Sequence, residues 1–290
     1  MNIDFLARMA ASSRQRFEES RAQCDEMSLR ARAESRPPPP PLHLSRLGFD
    51  LIAEVKRRSP SMGALGDDAV SPAEQARNYA DAGAAAISIL TEPDQFSGEI
   101  AHLEQVADRV PHIPAMRKDF LVSPYQVLEA RAAGASGVLL IAAMLNAAEL
   151  REMLSITLEL GMFALVEAFD AADLQACLPI MDEISAASVA MGTQDGDAQS
   201  DDHCRLLIGI NCRDLRTLEV DFPRFESLAD QLPATLPWVA ESGVQTAGQV
   251  RHVADLGYRL ALVGTTLMRS DDPSATASEL IAAGRDRPQR

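Results

Sequence analysis

Eight short runs of Val, Ile, Leu and Ala recur between residues 50 and 264, each followed by a helix-like stretch. They are DLIAEV (50–55), AAAISIL (84–90), PAMRKDF (114–120), GVLLIAA (137–143), FALVEA (163–168), RLLIGIN (205–211), PWVAES (237–242) and LALVG (260–264). Nearly continuous apolar character, in place of a period of two, is what parallel strands covered on both faces require. Between the runs, Ser71-Pro72 and Ser123-Pro124 read as an N-cap followed by a first-turn proline. Gly83, Gly134, Gly161 and Gly257 stand where helices should end. Eight β/α units in about 250 residues are the count and size of a (β/α)8 barrel, whereas a doubly wound sheet usually has fewer strands. The expectation is an α/β protein with one barrel over 49–285. A hydrophobic content of 47% with only 4% aromatics suits helices layered on strands better than a β-sandwich.

Two segments stand outside that rhythm. Residues 2–34 read as a charged helix with Phe5, Leu6, Met9 and Phe17 at partly helical spacing, followed by the run Pro37 to Pro41, which cannot continue a helix. Residues 1–48 are thus predicted to be an N-terminal helical extension with a proline spacer, read as a linker in preference to an SH3-type ligand. The stretch 182–204 is small, polar and acidic, and reads as a flexible insertion on the barrel face opposite the strand carboxyl ends.

The formal net charge of -15 disfavours nucleic acid and anionic membrane surfaces, so an anionic ligand must be held by local groups. Four cysteines without a CxxC pair and five histidines without ligand spacing suggest reduced thiols and no metal site. Asp4, Arg8 and Arg14 interrupt the apolar stretch that a signal peptide needs, and no later segment is long enough to span a bilayer. A cytoplasmic location is expected.

In a barrel the carboxyl ends of all strands face one mouth, and here most of those ends are polar. Glu54 and Lys56 lie two apart at the first, Lys118 at the third, Glu167 on the fifth, Asn211 then Arg213 at the sixth, and Glu241 at the seventh. A lone Glu-x-Lys is more often a solvated pair. Lys118 and Glu167, each flanked by apolar residues on another strand, can meet that pair only in the mouth, where buried charges are costly unless paired or functional. Ser242-Gly243 and Gly264-Thr265 put small residues at the ends of strands seven and eight, where barrels often hold phosphate. Phe96 and Phe120 follow strand ends and could line an apolar wall, while Leu140 reads more readily as barrel core. Cys212 has no histidine at a telling spacing.

Taken in order, IAEVKRRSPS, SILTEPDQFSG, RKDFLVSPYQVLEARAAGA, LVEAF, IGINCRDLRTLEVD, ESGV and LVGTTLMRSDDP resemble the indole-3-glycerol phosphate synthase family from Leu51 to Pro273. The N-terminal helix also resembles that family's extension over the barrel mouth. The resemblance implies the substrate 1-(2-carboxyphenylamino)-1-deoxyribulose 5-phosphate, decarboxylating ring closure and dehydration, and no cofactor. It implies Lys118 as general acid, Glu167 as acid/base, and Lys56 as carboxylate and phosphate contact and second acid, leaving open which lysine serves which step. Glu54 and Asn211 would orient these groups. Ser59, Ser242, Gly243, Gly264 and Thr265 would hold phosphate and polar atoms, and Glu241 would join them in binding substrate. Pro60, Phe96, Phe120 and Leu140 would form the aromatic pocket, and Arg213 would meet the anthranilate carboxylate. A monomer or weak homodimer is implied, with association with other tryptophan-pathway enzymes left open. The chain departs from the family pattern at Cys212, where a second Asn is usual, at Thr265, where Glu is common, and in the insertion. These departures keep alive a paralogue acting on a related anilino sugar phosphate; a non-catalytic scaffold would have no need of the buried charges.

Overall fold

A computed structural model describes residues 5–59, 63–64, 70–190, 204–213, 215 and 219–286. Among them, eight strands close a parallel barrel: β1 (Asp50–Val55), β2 (Ala86–Leu90), β3 (Ala115–Lys118), β4 (Gly137–Ile141), β5 (Phe163–Ala168), β6 (Leu206–Asn211), β7 (Trp238–Glu241) and β8 (Leu260–Val263). Each pairs with its neighbours in chain order, and β8 closes on β1 with Asp50 level with Leu260. All eight expected strands are present.

Each strand alternates between two apolar environments. Leu51, Ala53, Val138, Leu140, Ala164 and Val166 point outward under the helices. Ile52, Met116, Leu139, Leu165, Leu207 and Leu262 fill the interior. Because both faces are buried, the whole strand reads as apolar, and its phase is invisible in sequence.

The outer layer is α3 (Pro72–Asp81), α4 (Ile100–Arg109), α5 (Pro124–Ala132), α6 (Ala147–Glu159), α7 (Ala171–Ala190), α8 (Arg224–Ala229), α9 (Ala247–Asp255) and α10 (Pro273–Arg285). Ser71 and Ser123 cap α3 and α5, each with proline in the first turn. Gly83 and Gly257 take the left-handed backbone just past their helices, with φ 94° and 107°.

The extension is two helices where one was expected: α1 (Phe5–Gln23) and α2 (Glu26–Ser35). The break is at Asp25, whose carboxylate accepts from the Ser28 amide at 3.0 Å and so starts a new helix. Phe5, Met9, Ala10 and Ser13 form the buried stripe of α1. The proline segment and the residues flanking it do more than connect. Arg131 donates to the carbonyl oxygens of Arg36 and Pro37, and Leu42 is buried within the interior cluster beside the barrel's lower residues. The segment 182–204 is helical in its first part, since α7 continues to Ala190; residues 191–203 lie outside the described ones. No helix among the described residues is long and apolar enough to cross a membrane.

Candidate active site

The carboxyl ends of the strands surround a cavity of about 580 Å³. Alternation along β1 turns Ile52 and Glu54 inward, and Lys56 follows just past the strand. Lys56 donates from Nζ to Glu54 Oε1 at 2.6 Å. Burial alone would raise the Glu54 carboxyl, yet Lys56 and Lys118 outweigh it and hold it below the usual range.

Lys118 ends β3 and places Nζ 3.8 Å from Glu167 Oε2. Burial would favour the neutral amine, but Glu167, Glu54 and Glu241 together raise its pKa and keep it an ammonium. Glu167 is 1% exposed, and its Oε2 receives no hydrogen bond among the described residues. Glu241, likewise 1% exposed, has neither oxygen hydrogen-bonded to a donor there. Burial and the facing Glu167 push the Glu241 carboxyl well above the usual range, against the pull of Lys118. Among the described residues the cavity is therefore lined by four cations, Lys56, Lys118, Arg213 and Arg269, and four acids, Glu54, Asp119, Glu167 and Glu241, one of which favours its neutral form. An anion can bind there within a chain whose formal net charge is -15.

Asn211 ends β6, and its Oδ1 accepts from the Arg213 amide at 2.9 Å. Ser242 and Gly243 follow β7, both left-handed, with φ 65° and 72°. The Cys212 thiol donates to the Ser242 carbonyl at 3.2 Å and so ties this turn to the end of β6. Cys212 is fully buried, and burial pushes its thiol up to about 12, which suits an inert thiol. Gly264 and Thr265 join Ser242 and Gly243 along the same side of the cavity. Opposite them Phe96, Phe120 and Phe5 make an aromatic wall, with ring centroids of Phe96 and Phe5 at 6.3 and 6.0 Å from Phe120.

Lys56, Glu54, Lys118, Glu167, Asn211, Arg213, Glu241, Phe96, Phe120, Ser242, Gly243, Gly264 and Thr265 thus line one space. Leu140 does not: it points outward from β4 and is fully buried under the helices, and its neighbours Leu139 and Ile141 line the cavity instead. One residue of phase separates the two faces of a strand. Ser59 pairs with Gly63 in a small hairpin at the rim, and Pro60 lies outside the described residues.

Three supporting features escaped sequence reasoning. Arg16 of α1 forks the Asp119 carboxylate at 2.8 and 2.9 Å, fastening the extension to the residue after Lys118. Glu92 caps the short helix Pro93–Phe96, accepting from the amides of Asp94, Gln95 and Phe96, and so fixes the Phe96 ring at the wall. The Glu92-Pro93 pair carries the same cap-plus-proline signal as Ser71-Pro72 and could have been read. Ser88 is fully buried on β2, level with Glu54, and its hydroxyl has no hydrogen-bond partner among the described residues.

No cluster of metal-ligating side chains occurs among the described residues. All four cysteines are free.

The fold is shared with solved structures of low sequence identity. A 3-hexulose-6-phosphate synthase from Salmonella typhimurium superposes with a TM-score of 0.59 at 12% identity, covering 81% of this chain and 98% of that one. A 3-keto-L-gulonate-6-phosphate decarboxylase from Vibrio cholerae gives 0.57 at 12% identity, covering 83% and 100%. Sequence comparison is far more specific. A protein of Leifsonia xyli subsp. xyli named indole-3-glycerol phosphate synthase is 41% identical over 282 residues, 96% of this chain and 98% of that protein. One of the same name from Arthrobacter sp. (strain FB24) is 44% identical over 240 residues, 83% and 79% of the two chains. The model of the indole-3-glycerol phosphate synthase family matches residues 6–185 and 204–280, leaving a gap that coincides with most of the 182–204 segment. With the motifs in order and the charged mouth they build, the chain belongs to the indole-3-glycerol phosphate synthase family.

Proposed function

We propose that this chain converts 1-(2-carboxyphenylamino)-1-deoxyribulose 5-phosphate into indole-3-glycerol phosphate, carbon dioxide and water. The observation that carries this reading is the convergence of two lysines and three carboxyls from strands β1, β3, β5 and β7 beside an aromatic wall in one cavity. The Lys118 ammonium gives its proton to the substrate carbonyl oxygen as the carboxyl-bearing aryl carbon attacks the carbonyl carbon. Carbon dioxide then leaves, and the electrons of its bond restore the aromatic ring. The new hydroxyl leaves as water when an ammonium protonates it and a base takes a proton from the methylene beside nitrogen. Glu167 supplies that base, and Lys56 supplies the second proton. Glu54, held at 2.6 Å from Lys56, orients that ammonium.

The overall change is redox-neutral, so it needs no redox cofactor. Ser242, Gly243, Gly264 and Thr265 would receive the phosphate, and Arg213 the anthranilate carboxylate. The aromatic ring would lie against Phe96 and Phe120. The same reading makes the partner a diffusible anionic substrate and the place of work the cytoplasm, and tryptophan biosynthesis the pathway served.

Steady-state turnover of the anilino sugar phosphate, followed by indole fluorescence, tests it. Lys118→Ala should stay folded and lose at least about a hundredfold in kcat, the scale expected for a positioned general acid. No turnover by folded wild-type protein would overturn the reading.

A further inference from the structure

Glycine is an unusual choice in the middle of a barrel strand, because it weakens the strand and leaves space on the packed face. β6 faces the interior at Leu207, Gly209 and Asn211. In the register, Gly209 stands level with Glu167 of β5 and Val239 of β7, while Asn211 stands level with Glu241. Glu241 therefore springs from the upper layer, yet its carboxyl reaches the layer below. A methyl carbon placed on Gly209 would fall within contact radius of Glu241 Oε1, and 3.1 Å from Glu241 Cδ and Leu165 Cδ1. Gly264 gives a parallel case just past β8, where a methyl carbon would collide with Glu54 Oε1 and stand 3.0 Å from its Cδ.

We propose that Gly209 is a positioning residue: the space left by its missing side chain is where the Glu241 carboxyl descends to lie against Glu167. The kinetic half of this inference rests on the proposed synthase reading; the spectroscopic half does not. An alanine at 209 forces the carboxyl upward, away from Glu167 and toward the open mouth. The charged groups facing Glu241 are Glu167 from β5, Lys118 from β3 and Glu54 from β1. Its neighbours Asn211 on β6 and Leu262 on β8 carry no charge. Moving away from Glu167 and toward water weakens the two largest causes that now favour the protonated carboxyl, so the group should ionise at lower pH.

The test is an infrared pH titration of the protonated-carboxyl band, assigned by its loss in Glu241→Gln, in wild type and Gly209→Ala. The band should titrate away at lower pH in Gly209→Ala, and kcat should fall about a hundredfold with a smaller change in KM, as for a displacement of about 1 Å. An unchanged titration midpoint in the folded variant, or a kcat within about twofold of wild type, overturns the proposal. Should Gly209→Ala fail to fold, the double variant Gly209→Ala with Glu241→Ala is expected to fold, because the methyl group then enters vacated space. Failure of that double variant as well would assign the clash to Leu165 and overturn the proposal. Absence of turnover by the wild type would sink the synthase reading while leaving the infrared comparison intact.

Discussion

Asp119 and Glu241 are two carboxyls of the same mouth, 2% and 1% exposed, and their environments push them in opposite directions. Asp119 accepts from Arg16 twice, from Thr91 Oγ1 at 2.8 Å, from Arg117 at 3.3 Å and from the Phe120 amide at 2.8 Å. Burial acts to raise its pKa, but these donors win and hold the carboxyl at about 2. Glu241 has the same burial and no donor among the described residues, and it is pushed up. Burial therefore does not decide the charge of an acid in this barrel; the donors around it do. The first carboxyl fastens the extension to the barrel, and the second carries a stability cost at the place where chemistry is proposed.

The strongest way to break this contrast is to neutralise Asp119. Asp119→Asn leaves Arg117, whose side chain is 5% exposed, without its full complement of acceptors and loosens the fork from Arg16. The expected loss is about 3 kcal/mol at neutral pH in urea melts, as when one partner of a buried pair is removed. The sign of the pH dependence follows from the lowered pKa. Asp119's contribution is present above its unfolded value of 3.8 and disappears as pH falls through about 2. The gap between wild type and Asp119→Asn should therefore narrow by roughly 2 kcal/mol across that window. A gap that stays constant down to the acid limit would show that Asp119 is held by packing and not by charge.

Arg16→Lys sharpens the same comparison with a smaller effect. Lysine keeps the charge but cannot make the two-pronged contact, and the Arg16 side chain is 22% exposed, so water screens part of the pair. A loss of about 1 kcal/mol is expected in thermal melts. An unchanged Tm would mean that α1 is held by its apolar stripe alone.

The two carboxyls also differ in how far they could be read. Glu241 stands at the end of a run whose neighbours are apolar, so its place at the mouth follows from strand counting. Asp119 sits in the RKDF run beside Lys118, but its partner lies 103 residues earlier on a helix whose docking no local pattern encodes. Leu140 fails for a different reason. A strand apolar on both faces gives no phase, and only a charge such as Glu54 or Glu167 marks which alternate positions look inward. The eight strands were legible because that same continuous apolarity is diagnostic of the class. Gly209 carries such a signal too: an isolated glycine inside IGIN marks a close approach, though sequence alone cannot say that the approaching group is a carboxyl from the layer above.

The smallest expected effect is the one that isolates Glu241. A carboxyl whose folded pKa is raised binds its proton more tightly in the folded state than in the unfolded one. Its ionisation therefore opposes folding, and stability falls as pH rises from the ordinary glutamate value of 4.5 toward the raised one. Glu241→Gln removes that titration while keeping the shape of the side chain. Its Tm should equal or slightly exceed that of wild type near pH 5, and the difference should grow with pH, by on the order of 1 kcal/mol. Turnover should fall at the same time, so that a more stable protein is a poorer catalyst. A Glu241→Gln variant that loses stability at every pH would show that the amide cannot occupy the space beside Gly209, and that the carboxyl is favoured there by contacts with no counterpart among the described residues.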